Sequence, residues 1–210
     1  MPSEPRTKRA VAFLDGQSLF HAVKETWGYR FPNFDPKALS AAVCGAQGWT
    51  LAEVRFYTGV PAAERDARWH DFWARKTRAL KTEGVYVFTR PLRYSTQEIV
   101  IAGDAVQRIV VAQEKGIDVR IAIDIVSMAR RGEYDVALVF SQDQDLSEVA
   151  HEIRAISREK GRWLKIASAF PCEANTRNRR GIDKTDWVRI DRATYDACID
   201  RRDYRGTPQP

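Results

Sequence analysis

Short apolar runs rich in valine and phenylalanine, separated by longer stretches of helical periodicity, constrain this chain more than any other feature. The runs fall at 10–14, 54–57, 85–88, 136–140 and 164–167. Such runs, rich in valine and phenylalanine, suit strands covered on both faces, as in a parallel sheet. Between them, 62–82 sets Trp69, Trp73, Ala79 and Leu80 on one side at helical spacing. Residues 146–159 do the same with Leu146, Val149, Ala150, Ile153 and Ile156, and 119–130 is apolar nearly all round, as in a helix packed inside the molecule. A last strand is expected at 188–190, followed by a short helix carrying Tyr195, Ala197 and Ile199. The segment 91–114 reads as a hairpin arm, pairing Arg93 and Tyr94 with 109–112, in preference to a helix over 98–114. Strand-helix alternation of this kind predicts an α/β fold, a three-layer sandwich around a central, mainly parallel sheet.

At 210 residues the chain can bury a full core without staples. Its three cysteines, Cys44, Cys172 and Cys198, are too scattered for a disulfide framework or a zinc box. No apolar run approaches the ~20 residues that span a bilayer, and the start lacks a signal-peptide core, so a cytoplasmic protein without membrane contact is expected. The organisation expected is a single domain over 9–202 between loose ends at 1–8 and 203–210. Thirty-four basic and 28 acidic residues leave a net charge of +6, and its location matters more than its size. The segment 154–184 has nine basic and three acidic residues and so carries the whole excess, a mild pointer to a polyanionic partner.

Ligands of an open parallel sheet bind outside the carboxyl ends of its strands, so the charged groups at those ends are the informative ones. The first strand runs into Asp15-Gly-Gln-Ser18, and the strand at 136–140 runs into Ser141-Gln-Asp143-Gln-Asp145. If these strands are neighbours, Asp15, Asp143 and Asp145 meet on one edge. Like charges that close raise one another's pKa unless a cation lies between them, and oxygen-only clusters suit Mg²⁺ or Mn²⁺. Each aspartate alone could equally be a helix N-cap, Asp15 before Ser18 and Asp145 before Leu146. Two strand ends carrying Asp-Gly and Asp-x-Asp in one domain favour the cation.

A third acidic element is Lys115-Gly-Ile-Asp118, which opens the apolar helix and also contains Asp124. Six residues at about 100° each set Asp118 and Asp124 about 120° apart, so both cannot point into one site. Asp118, at the helix mouth, is the metal-facing candidate. Asp124 supports it from behind or caps a neighbouring element. Asp135 precedes its strand, at the wrong pole, and reads as a turn residue. There is no Gly-x-x-x-x-Gly-Lys-Ser/Thr, no Gly-x-Gly-x-x-Gly and no nucleophile elbow. His21, His70 and His151 have no partner at ligand spacing, and Trp69 and Trp73 read more simply as core than as stacking platforms for bases.

In order along the chain, Val11-Ala-Phe-Leu-Asp-Gly-Gln17, Glu114-Lys-Gly-Ile-Asp-Val119 with Asp124, and Gly132-Glu-Tyr-Asp-Val136 leading to Ser141-x-Asp143-x-Asp145 form a recognisable set. With Gly181-Ile-Asp-Lys-Thr-Asp-Trp187 and Tyr195-Asp-Ala-Cys198, the sequence resembles the NYN domains, a branch of the PIN-like metal-dependent ribonuclease superfamily, over about residues 9–200. The resemblance implies an acidic site binding Mg²⁺ or Mn²⁺ that cuts single-stranded or structured RNA. Carried over by position, Asp15, Asp118, Asp143 and Asp145 are the catalytic set. The first three hold the metal, and Ser18 and Asp124 stand behind them. Ser18 and Gln142 depart from the family, which usually has Asn and Gly there. Lys115, Arg120, Arg177, Arg179, Arg180 and Lys184 are the expected phosphate contacts. A non-catalytic RNA-binding module of the same fold is the competing expectation, and the oligomeric state, a homodimer included, is left open. A phosphotransferase would want a second carboxylate on strand one, and none is there.

Overall fold

A computed structural model describes residues 2–101 and 105–205. In chain order its strands are β1 (Arg9–Asp15), β2 (Thr50–Val60), β3 (Tyr86–Pro91), β4 (Arg93–Ile101), β5 (Ala105–Gln113), β6 (Val136–Phe140), β7 (Lys165–Pro171) and β8 (Asp186–Ile190). The helices are α1 (Gly16–Trp27), α2 (Pro36–Ala46), α3 (Ala67–Thr82), α4 (Ile117–Arg131), α5 (Ser147–Glu159) and α6 (Arg192–Ala197). Among the described residues six strands form one sheet in the order β3-β2-β1-β6-β7-β8, and every neighbouring pair is parallel. β4 and β5 form a separate antiparallel ribbon, the hairpin expected for 91–114. Residues 102–104 at its turn lie outside the described residues, as do Met1 and 206–210.

The uninterrupted runs are explained by two cores, one on each face of the sheet. Ala10, Ala12 and Leu14 of β1, with Val136, Leu138 and Phe140 of β6, face the core under α1, α2, α3 and α6. The alternate residues Val11, Phe13, Ala137 and Val139 face the core under α4 and α5. Period-two alternation therefore has an apolar destination on both sides. The result is the three-layer sandwich.

Boundaries follow local chemistry. The helix expected from residue 62 starts only at Ala67, where Asp66 accepts a hydrogen bond from the Trp69 amide at 3.0 Å. α4 reaches back to Ile117 because Gly116 takes φ +77°, a conformation that turns the chain into the helix and that a side chain would strain. Asp135 does more than turn the chain. It accepts from the Arg9 amide at 2.8 Å and pairs with Arg162 at 2.6 Å, pinning the start of β6. The C-terminal boundary needs correction. Tyr204, expected in a loose end, is buried, packs edge-on against Phe72, and donates to Asp200 at 2.8 Å.

Candidate active site

The order of the sheet reverses between β1 and β6, since successive strands are added outward on either side of this pair. Such a switch point opens a crevice at the carboxyl ends of the two strands. Asp15 is the last residue of β1 and shares the parity of Val11 and Phe13, so it lies on the α4 side of the sheet. Asp118 lies in the first turn of α4, and Asp143 and Asp145 follow directly after β6. Asp15, Glu114, Lys115, Asp118, Asp143 and Asp145 together line one cleft of about 420 Å³. The four aspartates singled out in the sequence thus come together there.

Two of these carboxylates also cap. Asp15 accepts from the Ser18 amide at 2.9 Å, and Asp143 accepts from the Asp145 amide at 3.0 Å. Capping and a role in the cleft are compatible, because each bond uses one oxygen. Asp145 is not the cap it could have been, since the cap position of α5 is Leu146. Asp118 and Asp145 accept no side-chain hydrogen bond and form no ion pair among the described residues. Ser18 joins the two strand ends, its hydroxyl 3.2 Å from that of Ser141, which in turn accepts from the Asp143 amide at 3.1 Å.

The cleft is electrostatically uncomfortable. Burial, reinforced by the charges of Asp143 and Asp118, pushes the Asp15 carboxyl up to about 6 despite the amide bonds it accepts. Burial likewise raises Glu114 to about 8, with Asp15 and Asp118 adding to the effect. Lys115 is the single cation among the lining residues. Among the described residues no three carboxylates are already drawn into a metal-holding cluster. The donor set nevertheless fits a hard divalent ion, being all carboxylate oxygen, and Mg²⁺ keeps several waters and takes only one or two carboxylates directly.

Three residues that shape this site were not assigned from the sequence. Glu114 accepts a hydrogen bond from the Gly59 amide, and a Cβ at Gly59 would collide with the Glu114 side chain and with Leu92. Its place in Glu114-Lys-Gly-Ile-Asp118, four residues before Asp118, was the available signal. Gln142 and Gln144 alternate with the two aspartates and face the basic loop. Gln142 donates to the carbonyls of Asn178 at 3.2 Å and Arg180 at 2.7 Å, while Gln144 donates to Gly181 at 3.0 Å and accepts from the Asp183 amide at 3.1 Å. Where the family has Gly, Gln142 is therefore a tether that moors the arginine-rich loop beside the acidic strand end.

Two of the expected residues are engaged with each other. Asp124 is buried and bound to Tyr57 at 2.8 Å, Arg120 at 3.0 Å and Arg55 at 3.2 Å. A carboxylate inside an apolar helix had to find such partners, and the 120° offset turned it toward β2. Arg120 is spent on the same pairing, with its guanidinium over the Phe88 ring at 5.1 Å, so it does not stand free for phosphate. Arg177 and Arg179 are exposed and make no ion pair among the described residues. Arg180 pairs with Asp183 at 2.8 Å, and Lys184 approaches Glu148 at 3.7 Å. Both contacts are exposed and weakly held.

Residues 9–175 match the family described as NYN domain. Curated proteins give no match to this chain. Among solved structures, a protein of unknown function from Vibrio parahaemolyticus is similar at 16% identity and a TM-score of 0.53, covering 90% of this chain and 97% of its own. That likeness shows the fold alone. Acinetobacter baumannii MurG also aligns, at 12% identity and a TM-score of 0.31, over 86% of this chain and 45% of its own, which carries no argument.

Proposed function

This chain belongs to the NYN domain family, of the PIN-like nuclease superfamily, and from that premise we propose that it is a metal-dependent ribonuclease of the cytoplasm. One observation carries the reading. Five carboxylates share a cleft at the switch point of the sheet, with one lysine to offset them. Such an arrangement is costly as a structural feature and useful as a cation site.

Asp15, Asp118 and Asp143 would hold Mg²⁺ or Mn²⁺. The ion supplies charge neutralisation on the phosphate and a more acidic water. The remaining work belongs to the chain. Asp145, with no partner of its own among the described residues, orients the attacking water. Ser18 fixes the spacing of the two strand ends through Ser141. Lys115, Arg177 and Arg179 hold flanking phosphates, and Arg180 and Lys184 join them by exchanging weak surface partners for the backbone. The tethers from Gln142 and Gln144 keep that loop in place, so RNA meets a basic wall next to an acidic floor. No helix among the described residues is long and apolar enough to cross a membrane.

An RNA-binding module without turnover is the second reading. It is favoured by Gln142, a bulkier residue where the family usually has Gly, tied to the carbonyls of Asn178 and Arg180 beside the acidic strand end. Purified protein incubated with single-stranded and structured RNA decides between the two. Cleavage that requires Mg²⁺ or Mn²⁺, stops with EDTA and disappears in Asp143→Asn supports the nuclease. Binding without cleavage under either ion refutes it.

A further inference from the structure

Beside the acidic cleft lies a second opening of about 420 Å³ that the proposed chemistry does not use. Its walls include three aromatic side chains, Phe20, Trp69 and Tyr94, and three cations, Lys24, Arg30 and Arg65. Among the described residues none of these cations forms an ion pair or donates a side-chain hydrogen bond, and all three are exposed. The carboxylate of Asp66 also lines the opening, where it accepts from the Trp69 amide at 3.0 Å, and the three cations outnumber it. Tyr94 is held by its hydroxyl, which accepts from the Ala62 amide at 3.1 Å, and Arg65 lies over its ring at 5.5 Å. A flat, anchored ring with an unpaired guanidinium above it, inside an opening rimmed by further cations, is a combination that single-stranded nucleic acid uses, since bases stack on aromatic faces and phosphates meet the cations.

The position strengthens the argument. Two short links along the chain join the opening to the acidic cleft. Gln17 of the opening lies two residues beyond Asp15, and its amide donates to the Gly59 carbonyl at 3.4 Å while the Gly59 amide binds Glu114. Ala112 of the opening, paired across the ribbon with Tyr94, lies two residues before Glu114, about 7 Å along an extended strand. The base of the β4–β5 ribbon thus leads from one to the other. That gives the hairpin, which among the described residues pairs with no other strand, a function, since an isolated two-stranded ribbon has little stability of its own.

We propose that this opening is a nucleotide subsite for single-stranded RNA, in which a base next to the cleavage position stacks on Tyr94 against Trp69 and Phe20 while Arg65, Lys24 and Arg30 hold its phosphates. The proposal rests on the ribonuclease reading for the direction of the strand, and its test is separable from it. The probe is a fluorescently labelled 2′-O-methyl octauridylate, whose anisotropy is followed in EDTA so that binding is read without cleavage. Tyr94→Ala should weaken binding about tenfold or more, as loss of one stacked base does. Tyr94→Phe, which keeps the ring and loses only the Ala62 bond, should stay within about twofold of wild type, showing that the ring and not the fold is being tested. Arg65→Ala should lower the slope of log affinity against log salt by about 0.7. Unchanged affinity in Tyr94→Ala together with an unchanged slope in Arg65→Ala would overturn the subsite, and so would failure of the wild type to bind the probe at all. In either of those cases metal-dependent cleavage of RNA by the wild type would leave the nuclease reading standing. Loss of affinity in Tyr94→Ala with no cleavage of any RNA would instead keep the subsite and remove the nuclease.

Discussion

Asp124 and Asp143 should respond to substitution in opposite ways, because one carboxylate is committed to the fold and the other to the cleft. Asp124 is 6% exposed and holds Tyr57, Arg120 and Arg55 together. Truncation to Ala leaves the Arg55 guanidinium with Glu53 at 2.7 Å and the Tyr86 ring at 3.7 Å, which softens the loss. The Arg120 side chain is 37% exposed, so its share is discounted for solvent screening. What remains is a buried Tyr57 hydroxyl without an acceptor and a half-compensated buried cation. That places Asp124→Ala at the lower end of the range for broken buried pairs, about 3 kcal/mol. For a chain of this size each kcal/mol moves Tm by about 2–4 °C, so a fall of roughly 6–12 °C is expected.

Asp143→Asn removes one of several repelling charges on an exposed residue and should leave Tm in EDTA within about 2 °C of wild type. The cation response inverts this order. Mg²⁺ at about a hundred times its Kd adds about 2.7 kcal/mol to whatever state binds it, or about 5–11 °C here. Wild type and Asp124→Ala should both show that increment, and Asp143→Asn should not. Differential scanning fluorimetry in EDTA and across a MgCl₂ titration reads both effects in one experiment. Wild-type Tm in Asp124→Ala combined with loss of its Mg²⁺ increment would refute the assignment of Asp124 to the fold and return it to the metal site.

Because Glu114 and Asp15 hold protons in the folded state that the unfolded chain releases earlier, the metal-free protein should lose stability as pH rises from about 4 through 6 for Asp15 and through about 8 for Glu114. Denaturant unfolding of wild type and Glu114→Gln at pH 5 and pH 8 in EDTA should show the variant losing less over that interval, and an equal loss would count against the buried Glu114. Gln142→Gly, the family's usual residue, removes two hydrogen bonds of about 1 kcal/mol each, so amide exchange over 177–184 should quicken by at least about tenfold, and unaltered protection would show that the loop is moored elsewhere. Lys76 is fully buried between the Phe34 carbonyl at 2.9 Å and Asp200 at 3.6 Å. Lys76→Met should therefore cost about 3 kcal/mol and expose Tyr204 to solvent, with chemical denaturation and the exchange of 199–204 as the measurements. A stability within about 0.5 kcal/mol of wild type would show that the C-terminal segment does not depend on this ion.

The legible part of this protein was the part set by periodicity and by position on a strand. Uninterrupted runs demand two apolar faces, two faces demand helices on both sides, and a chain built that way places its strand-end residues along one edge. Asp15 and Asp143 needed only that logic to be brought together, and Asp118 needed only a helix mouth. Angular offset identified Asp124 as a residue that could not share the site, but its partners lay on β2, far away in sequence, and no local pattern names Arg55 or Tyr57. Arg120 failed for the same reason, since a cation reads as free until its carboxylate is found. Charge counting along 154–184 found a basic segment without showing which part faces the cleft. That choice is made by Gln142 and Gln144, neutral residues that composition ignores. Tyr94 shows how far the gap extends. The sequence placed it in a hairpin arm opposite 109–112, but only the fold of the ribbon sets it at the opening. The carboxylates of this cleft can thus be read from strand ends, whereas the opening lined by Tyr94 depends on elements that the strand periodicity does not place.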